Sequence, residues 1–276
     1  MKQKIRQIGA STAQVSKEVS PDSLIKIELL FGEQVEVLEE GERTKIRTVN
    51  NDAYEGYLGA RHLVDAFDAT HRVSVRSAPN YYSAHFKNPK EGEPLYFNSL
   101  VRITESKDTP EGVMHKLEGG GWIFASHLVE KTHPAVDYVE ECLKFLGDSY
   151  GYERRGALID CSTLVQAGCV AAGIECPYDV KSGEMERLGE SVEFTSDLSN
   201  LRRGDLVFWT ESKKEGHIAS HVAVMVDAVN ALHVTIASPY RKALIQPVLD
   251  IARDQAHEHN GSVTTVRRFS NYSSHL

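Results

Sequence analysis

Three side chains in the second half of the sequence are of the types that carry out nucleophilic catalysis: Cys161, His221 and His233. A thiol that gives its proton to an imidazole, with a third group that orients the imidazole, is the general arrangement for cysteine-dependent acyl transfer. Each residue alone has a simpler interpretation, because most free cysteines are small buried apolar side chains and most strand histidines are incidental. The combination of the three carries the hypothesis of a catalytic site.

The element that must position Cys161 is a helix. Small and apolar residues recur at helical spacing after Ser162, Asp160 can serve as the N-cap, and Gly173 marks the C-terminal end. Cys161 then lies in the first turn, where unpaired backbone N–H groups and the positive end of the helix dipole favour the thiolate. The sequence therefore predicts a lowered pKa for this thiol.

A hairpin is predicted to carry the two histidines. His221 begins a strand at residues 221–226, His233 lies in the next strand at 232–236, and residues 227–230 form the turn between them. The same domain is predicted to contain helices at 135–146 and 249–257 and strands at 206–209 and 263–269. Helices followed by an antiparallel sheet predict an α+β fold for this part of the chain.

The first half of the chain alternates between apolar and polar residues with period two, which predicts a turn into a half-buried strand within 29–38 and further short strands at 44–49 and 55–58. Residues 56–63 and 35–37 match 121–128 and 101–103 at nearly the same offset, so the sequence predicts two copies of one small all-β barrel. The predicted organisation is an N-terminal extension (1–23), a first barrel (24–75), a second barrel (76–132) and an α+β domain (133–276). An insertion at 78–94 is either a surface loop or a segment that reaches a neighbouring cleft.

Composition describes an ordinary folded protein. The 276 residues include 25% charged and 41% hydrophobic side chains, and the net charge of −8 argues against a nucleic-acid partner. The basic start is followed by no apolar run of a signal peptide and no stretch is long enough to span a membrane, so a cytoplasmic location is expected. The cysteines are expected to be thiols and make a poor zinc site, since none has C-x-x-C spacing: Cys142, Cys161, Cys169 and Cys176.

Other histidines offer weaker sites. His217 and His221 form an H-x-x-x-H pair, but the strand predicted after His221 and the missing glutamate neighbour disfavour zinc. His257 and His259 lie in a polar, acidic stretch that is typical of a solvated surface. The sequence therefore predicts no metal site.

An ordered set of motifs resembles a known family. Asp160-Cys161-Ser162 at a helix start, then Gly204-Asp205-Leu206-Val207, then His221 at a strand start and His233 twelve residues later are similar to the NlpC/P60 family of papain-like cysteine peptidases. The resemblance covers roughly residues 133–276. The two preceding β units resemble bacterial SH3-like domains, and this arrangement resembles murein-peptide recycling members. Those are γ-D-glutamyl-L-diamino-acid endopeptidases acting on cell-wall peptides with a free N-terminal L-alanine.

This resemblance implies a role for each candidate residue. It makes Cys161 the nucleophile, His221 the base and His233 the orienter of His221. It places Asp160, Ser162 and Tyr150 in the substrate cleft, with Asp160 paired to the substrate's free amine. From the residues alone, Asp160 can be a plain N-cap, a role that can coexist with amine binding, and Tyr150 can equally be a core aromatic. The partner implied is a small muropeptide, with no metal, no cofactor and no membrane, and the oligomeric state is left open.

The chain departs from the family pattern near the predicted nucleophile. A Trp-Gly-Gly segment is replaced by Gly151-Tyr152-Glu153-Arg154-Arg155-Gly156, which is expected to block, recharge or narrow the cleft entrance, and Thr163 replaces a usual glycine. The alternative function is therefore a cell-wall peptide binding protein with a degenerate catalytic domain, because SH3-like domains can act purely as ligand modules. The retained Cys161, His221 and His233 favour the enzyme.

Overall fold

The computed structural model describes residues 4–20, 22–49, 53–84, 91–210, 219–236, 240–259 and 261–270. The chain divides into two compact units. Unit 1 consists of Met1–Pro134 together with Glu153–Ala157, and unit 2 consists of Ala135–Tyr152 and Leu158–Leu276. The short segment 153–157 thus belongs to unit 1, although both of its neighbours in sequence belong to unit 2.

Unit 1 begins with seven strands: β1 (Lys4–Ile8), β2 (Thr12–Ser16), β3 (Ile25–Leu30), β4 (Gln34–Glu39), β5 (Arg43–Thr48), β6 (Glu55–Gly59) and β7 (Leu63–Asp65). They form one sheet in the order β3-β2-β6-β5-β4-β1-β7, with antiparallel pairs throughout. Side chains alternate between buried and partly exposed along β5 and β6, as the period-two pattern predicts. The predicted strands at 44–49 and 55–58 are confirmed.

The assignment of residues 1–23 to an extension is wrong where the structure describes them. β1 pairs with β4 and β7, and β2 pairs with β3 and β6, so both are inner strands of the sheet. The apolar alternation expected of a strand is interrupted in β1, because the polar residue Gln7 is buried there and is only 1% exposed. Its amide donates to Gly32 O at 2.9 Å and its oxygen accepts from the Phe67 backbone N–H at 2.5 Å. Both polar groups of the Gln7 side chain thus have hydrogen-bond partners inside the fold, whereas the sequence alone suggests an exposed polar residue.

The remaining strands of unit 1 are β8 (His71–Val73), β9 (Ser77–Ala78), β10 (Leu95–Tyr96), β11 (Leu100–Val101), β12 (Ile103–Thr109), β13 (Gly112–Leu117), β14 (Trp122–Phe124) and β15 (Leu128–Glu130). They form sheets in the orders β11-β8-β15, β12-β13-β14 and β10-β9. The repeated segments adopt the same succession of a strand, a 3-10 turn and a strand, with turns at Ala60–His62 and Ala125–His127. Because β8 pairs with β15, residues 71–73 belong with the second β region. Part of the predicted insertion, residues 85–90, lies outside the described residues.

Unit 2 places two helices ahead of an antiparallel sheet. Its elements are α1 (Tyr138–Leu143), α2 (Cys161–Ala171), β16 (Glu190–Ser191), β17 (Leu206–Thr210), β18 (Ala219–Met225), β19 (Asn230–Val234), β20 (Ala243–Pro247), α3 (Val248–His259) and β21 (Ser262–Arg268). The sheet order is β16-β21-β17-β18-β19-β20. A buried cluster around Trp209 joins the sheet to Val248 and Ile251 of α3. The chain is therefore a mixed α and β protein in which strands predominate.

The first helix is shorter than its amphipathic pattern predicts. Asp137 caps α1, accepting hydrogen bonds from the backbone N–H groups of Val139 and Glu140. Val136 and Leu146, at the two ends of the predicted stripe, are 85% and 51% exposed and lie outside the helix. The cap thus sets the start that hydrophobic spacing alone placed too early.

Close packing of α1 on α2 depends on Gly168. A Cβ at this position would lie 2.3 Å from Cys142 Sγ and 2.7 Å from Tyr138 O, so any larger side chain would push the helices apart. In α2 itself, residues 162–169 are all buried. Tight burial on several sides holds the helix that begins at Cys161.

Within the described parts of the chain, none of the helices combines the length and the apolar character needed to cross a membrane.

Candidate active site

Cys161 is the first residue of α2, and Asp160 is the N-cap. Asp160 Oδ1 accepts hydrogen bonds from the backbone N–H and from the hydroxyl of Thr163, both at 2.9 Å. Thr163 Oγ1 in turn accepts from the backbone N–H of Asp160 at 3.1 Å, which completes a reciprocal capping box. The threonine that departs from the family pattern therefore fixes the residue directly before the predicted nucleophile.

The environment of Cys161 disfavours a resting thiolate. Burial and the negative charge of Asp160 raise the pKa of the Cys161 thiol to about 12, against hydrogen bonds from the Val222 backbone and from Ser162 that act to lower it. The expected lowering of this pKa is thus wrong, because burial of the thiol, together with the N-cap carboxylate, outweighs the hydrogen bonds to the sulfur. The hydrogen bond from Val222 puts the sulfur next to the residue that follows His221.

The predicted hairpin brings His221 and His233 together. The pairing of β18 with β19 sets Val224 opposite Leu232, and one further step places His233 across from Ala223, two residues from His221 on the same face. His221 Nε2 lies 3.0 Å from His233 Nδ1, with the ring planes at 84°. The pair therefore shares one hydrogen bond.

Gln246 continues this series onto a third strand. β19 pairs with β20 so that His233 lies opposite Leu244, and Gln246 is two residues further on the same face. Its Oε1 lies 2.7 Å from His233 Nε2. The sequence offered no motif for Gln246, because β20 is a short strand that the apolar pattern did not predict.

Both imidazoles are buried, with His221 8% and His233 4% exposed. Trp209 of β17 lies opposite His221, with the two ring centroids 5.6 Å apart. Burial lowers the pKa of His233, while the hydrogen bond to Gln246 and the charge of Asp254 act to raise it. His233 is accordingly neutral at neutral pH. We use the name polar series for the four side chains of Cys161, His221, His233 and Gln246.

Comparison with known proteins finds a similarity to one family. Residues 147–251 match the model of the NlpC/P60 family. This part of the chain is similar to NlpC/P60 domains. The match contains Asp160, Cys161, His221, His233 and Gln246. It covers less than half of the chain.

Solved structures share the fold over nearly the whole chain. An NlpC/P60 family protein from Bacillus cereus is 18% identical, with coverage of 96% of this chain and 99% of the other and a TM-score of 0.75. An NlpC/P60 endopeptidase from Photobacterium damselae subsp. piscicida is 12% identical, with coverage of 95% and 70% and a TM-score of 0.56. At these identities the similarity shows the fold alone. A search of curated proteins gave no match.

Ser162 is buried in the first turn of α2. Its Oγ accepts a hydrogen bond from the Val180 backbone N–H at 3.2 Å, and its hydrogen bonding also acts to lower the pKa of Cys161. Ser162 therefore ties the 3-10 turn Val180–Ser182 to the nucleophile's helix. Its role in the substrate cleft stays a prediction.

Tyr150 is partly exposed, which excludes the core aromatic interpretation. Its backbone N–H donates to Arg241 O at 2.8 Å, and the Arg241 guanidinium lies 5.8 Å from the centre of its ring. Tyr150 also forms a parallel bridge with Ile159, directly before Asp160. Tyr150 thus lies beside the extended residues that precede Cys161. Its contact with substrate stays a prediction.

The segment 153–157 lies in sequence between the bridge partners Tyr150 and Ile159 but belongs to unit 1. Glu28 Oε2 accepts from the backbone N–H groups of Arg155 at 3.0 Å and Gly156 at 2.7 Å, and Glu28 Oε1 lies 3.2 Å from Arg154 Nη1. Arg155 Nη1 reaches both oxygens of Glu33 at 2.8 Å. We call Glu28, Glu33, Arg154 and Arg155 the charged cluster. The charge of Arg155 is therefore neutralised inside unit 1.

Metal binding is not indicated in the part of the chain that the structure describes, where no group of three or more histidine, cysteine or acidic side chains is arranged to hold an ion. His217 lies outside the described residues, so the H-x-x-x-H pair has no structural description. Cys142, Cys169 and Cys176 are buried free thiols.

Proposed function

We propose that the chain is a cysteine peptidase that hydrolyses the γ-D-glutamyl-diamino-acid bond of cell-wall peptides with a free N-terminal L-alanine, as part of peptidoglycan recycling. The observation that carries the proposal is the hydrogen-bonded pair His221–His233 within the NlpC/P60 domain, beside a cysteine at a capped helix start. The relative from Photobacterium damselae is described as an endopeptidase, which supports the same reaction class.

Proton transfer must accompany the attack. Because burial and Asp160 raise the pKa of the Cys161 thiol to about 12, the thiol is the predominant form at pH 7, and the proposed reaction does not start from a preformed thiolate. His221 instead removes the thiol proton as Sγ bonds to the carbonyl carbon. The backbone N–H of Cys161 stabilises the developing oxyanion, the amine leaves with the proton from His221, and water then hydrolyses the thioester.

Substrate selection is assigned to Asp160, Ser162 and Tyr150. A buried carboxylate attracts an ammonium strongly, and Asp160 is 7% exposed and adjacent to the nucleophile. We propose that it holds the free amine of the N-terminal L-alanine while serving as the helix N-cap. Capping and amine binding are compatible, because an ionised carboxylate has acceptor sites on both oxygens.

The two β regions of unit 1 are proposed to be SH3-like domains. The repeated succession around Ala60–His62 and Ala125–His127, each preceded by a hairpin, supports two copies of one domain. A crystal structure of the full chain tests this directly, because the proposal requires each region to close into a small barrel.

The test of the reaction is cleavage of L-Ala-γ-D-Glu-diaminopimelate by the full chain, followed as release of L-Ala-D-Glu. We expect cleavage by the unmodified protein, none by Cys161→Ala, and none of the N-acetylated peptide, which lacks the amine for Asp160. Cleavage of both peptides at equal rates would remove the role of Asp160. Absence of cleavage of both would remove the proposed function.

One observation favours a second candidate, a cell-wall peptide binding protein. A raised pKa at Cys161 is what a cysteine without catalytic activation would show. Iodoacetamide labelling at pH 8 separates the two candidates. If the chain is a peptidase, the reagent is expected to label Cys161 faster than free cysteine, because His221 takes the thiol proton. Labelling slower than free cysteine, with peptide binding and no cleavage, would favour the binding protein.

A further inference from the structure

Gln246 lies where it can set the proton positions of the whole polar series. It is partly buried on β20, and its side-chain oxygen, an acceptor, lies 2.7 Å from His233 Nε2. An acceptor at this distance requires the proton of neutral His233 to be on Nε2. Nδ1 of His233 then carries the lone pair.

The consequence passes to His221. A lone pair on His233 Nδ1 must receive a proton from His221 Nε2, which lies 3.0 Å away. Neutral His221 therefore carries its proton on Nε2 and the lone pair on Nδ1, the nitrogen that does not bond to His233. A lone pair on Nδ1 is the condition for accepting a proton from a thiol.

The opposite orientation of the carboxamide would reverse each step. If an amide N–H of Gln246 faced His233, the lone pair of His233 would be on Nε2 and its proton on Nδ1. His221 would then have to accept a hydrogen bond at Nε2. The proton of neutral His221 would then be on Nδ1, where it prevents His221 from acting as a base.

We propose that Gln246 is a positioning residue that acts through His233 to keep the lone pair of His221 on Nδ1. The proposal rests on the proposed function only in calling His221 the base. It adds a fourth member to the Cys161, His221 and His233 set. Burial keeps His233 neutral, and the charge of Asp254 on α3 opposes this by favouring the protonated ring.

Activity tests use two substitutions and a matched control. Gln246→Leu removes the acceptor at similar size and is expected to lower kcat for peptide hydrolysis about 10- to 100-fold with little change in KM, because Gln246 orients an imidazole. Gln246→Glu keeps an acceptor but stabilises protonated His233, whose Nδ1–H then donates to His221. For Gln246→Glu, the acidic limb of the plot of kcat/KM against pH is expected to shift to higher pH by about one pH unit. Ile245→Ala, on the same strand with its side chain on the opposite face, is expected to change neither.

A spectroscopic test is independent of substrate. In the full chain labelled with ¹⁵N-histidine, NMR is expected to show His221 and His233 both protonated on Nε2 at pH 8, and mixed tautomers in Gln246→Leu. Protonation of His233 on Nδ1 in the unmodified protein would overturn the proposal, as would unchanged tautomers in a folded Gln246→Leu variant. If the tautomers are as expected but no peptide is cleaved, the proposed function fails and the role of Gln246 in the histidine pair stands.

Discussion

The charged cluster of unit 1 and the polar series of unit 2 each combine buried and partly buried side chains, but they are built on opposite principles. In the charged cluster full charges face one another: the side chains of Glu28 and Arg155 are 7% and 4% exposed, and Glu28 also accepts two backbone N–H groups. In the polar series the pKa of the Cys161 thiol is raised and that of His233 is lowered, so both favour the neutral form, and the Gln246 amide carries no charge. The first arrangement cancels charge, and the second gives hydrogen bonds a direction.

This difference separates a structural role from a chemical one. The buried carboxylate of Glu28 pairs with one guanidinium group, that of Arg154, and accepts from two backbone N–H groups, so it holds a segment in place. A directional series of neutral groups ends in a lone pair that can take a proton. The charged cluster holds the segment 153–157, which ends a few residues before the helix that starts at Cys161.

The largest expected effect comes from the reactive end of the polar series. Cys161→Ala is expected to lower hydrolysis of L-Ala-γ-D-Glu-diaminopimelate by about 10⁴-fold or more, because the covalent step is lost. Its midpoint of urea unfolding should equal that of the unmodified protein within error. Residual cleavage near the unmodified rate would show that the polar series is structural, like the charged cluster.

Glu28→Ala tests the charged cluster. The substitution removes the buried acceptor of two backbone N–H groups and the ion-pair partner of Arg154, so the free energy of unfolding should fall by about 3–5 kcal/mol. Urea unfolding of unit 1, followed by circular dichroism, measures it. The matched control is Glu105→Ala, which breaks the exposed pair with Lys116 and should cost less than about 1 kcal/mol. Equal effects of the two substitutions would contradict the assigned structural role.

Acid should affect the polar series through His233. The folded protein holds the pKa of His233 below the ordinary value of 6.5, so the unfolded chain binds the proton first. This contribution to stability is complete above pH 6.5 and is lost as the pH falls below it, by at most about 1.4 kcal/mol per pH unit. Comparing urea unfolding at pH 7.5 and 5.5, the loss should be smaller in His233→Asn. An identical loss in both proteins would exclude His233 as its source.

The smallest expected effect is at the capping box. Thr163→Val keeps the shape of the side chain but removes the hydroxyl that bonds to Asp160, and should lower the free energy of unfolding by about 1 kcal/mol. Thr104→Val, at an exposed hydroxyl, is the control. A larger rise in KM than in unfolding would indicate that Thr163 also orients Asp160 for the substrate amine.

Much of the site could be predicted from sequence because it depends on local patterns. A capped helix start before Cys161 and a hairpin between His221 and His233 follow from residue types within short windows, and the structure contains both. The extension assigned to residues 1–23 failed because Gln7 is buried by partners distant in sequence. Gln246 was missed because glutamine on a short strand carries no periodic signal.

The sequence by itself determined which groups are available, namely a thiol at a helix start and two histidines on a hairpin, since capping and turn formation are short-range. Only the tertiary structure decided their protonation. Burial and the neighbouring Asp160 raise the pKa of Cys161, burial lowers that of His233, and the register of three strands brings Gln246 to His233. The physical reason is that desolvation and hydrogen-bond direction depend on neighbours that meet through strand pairing and packing.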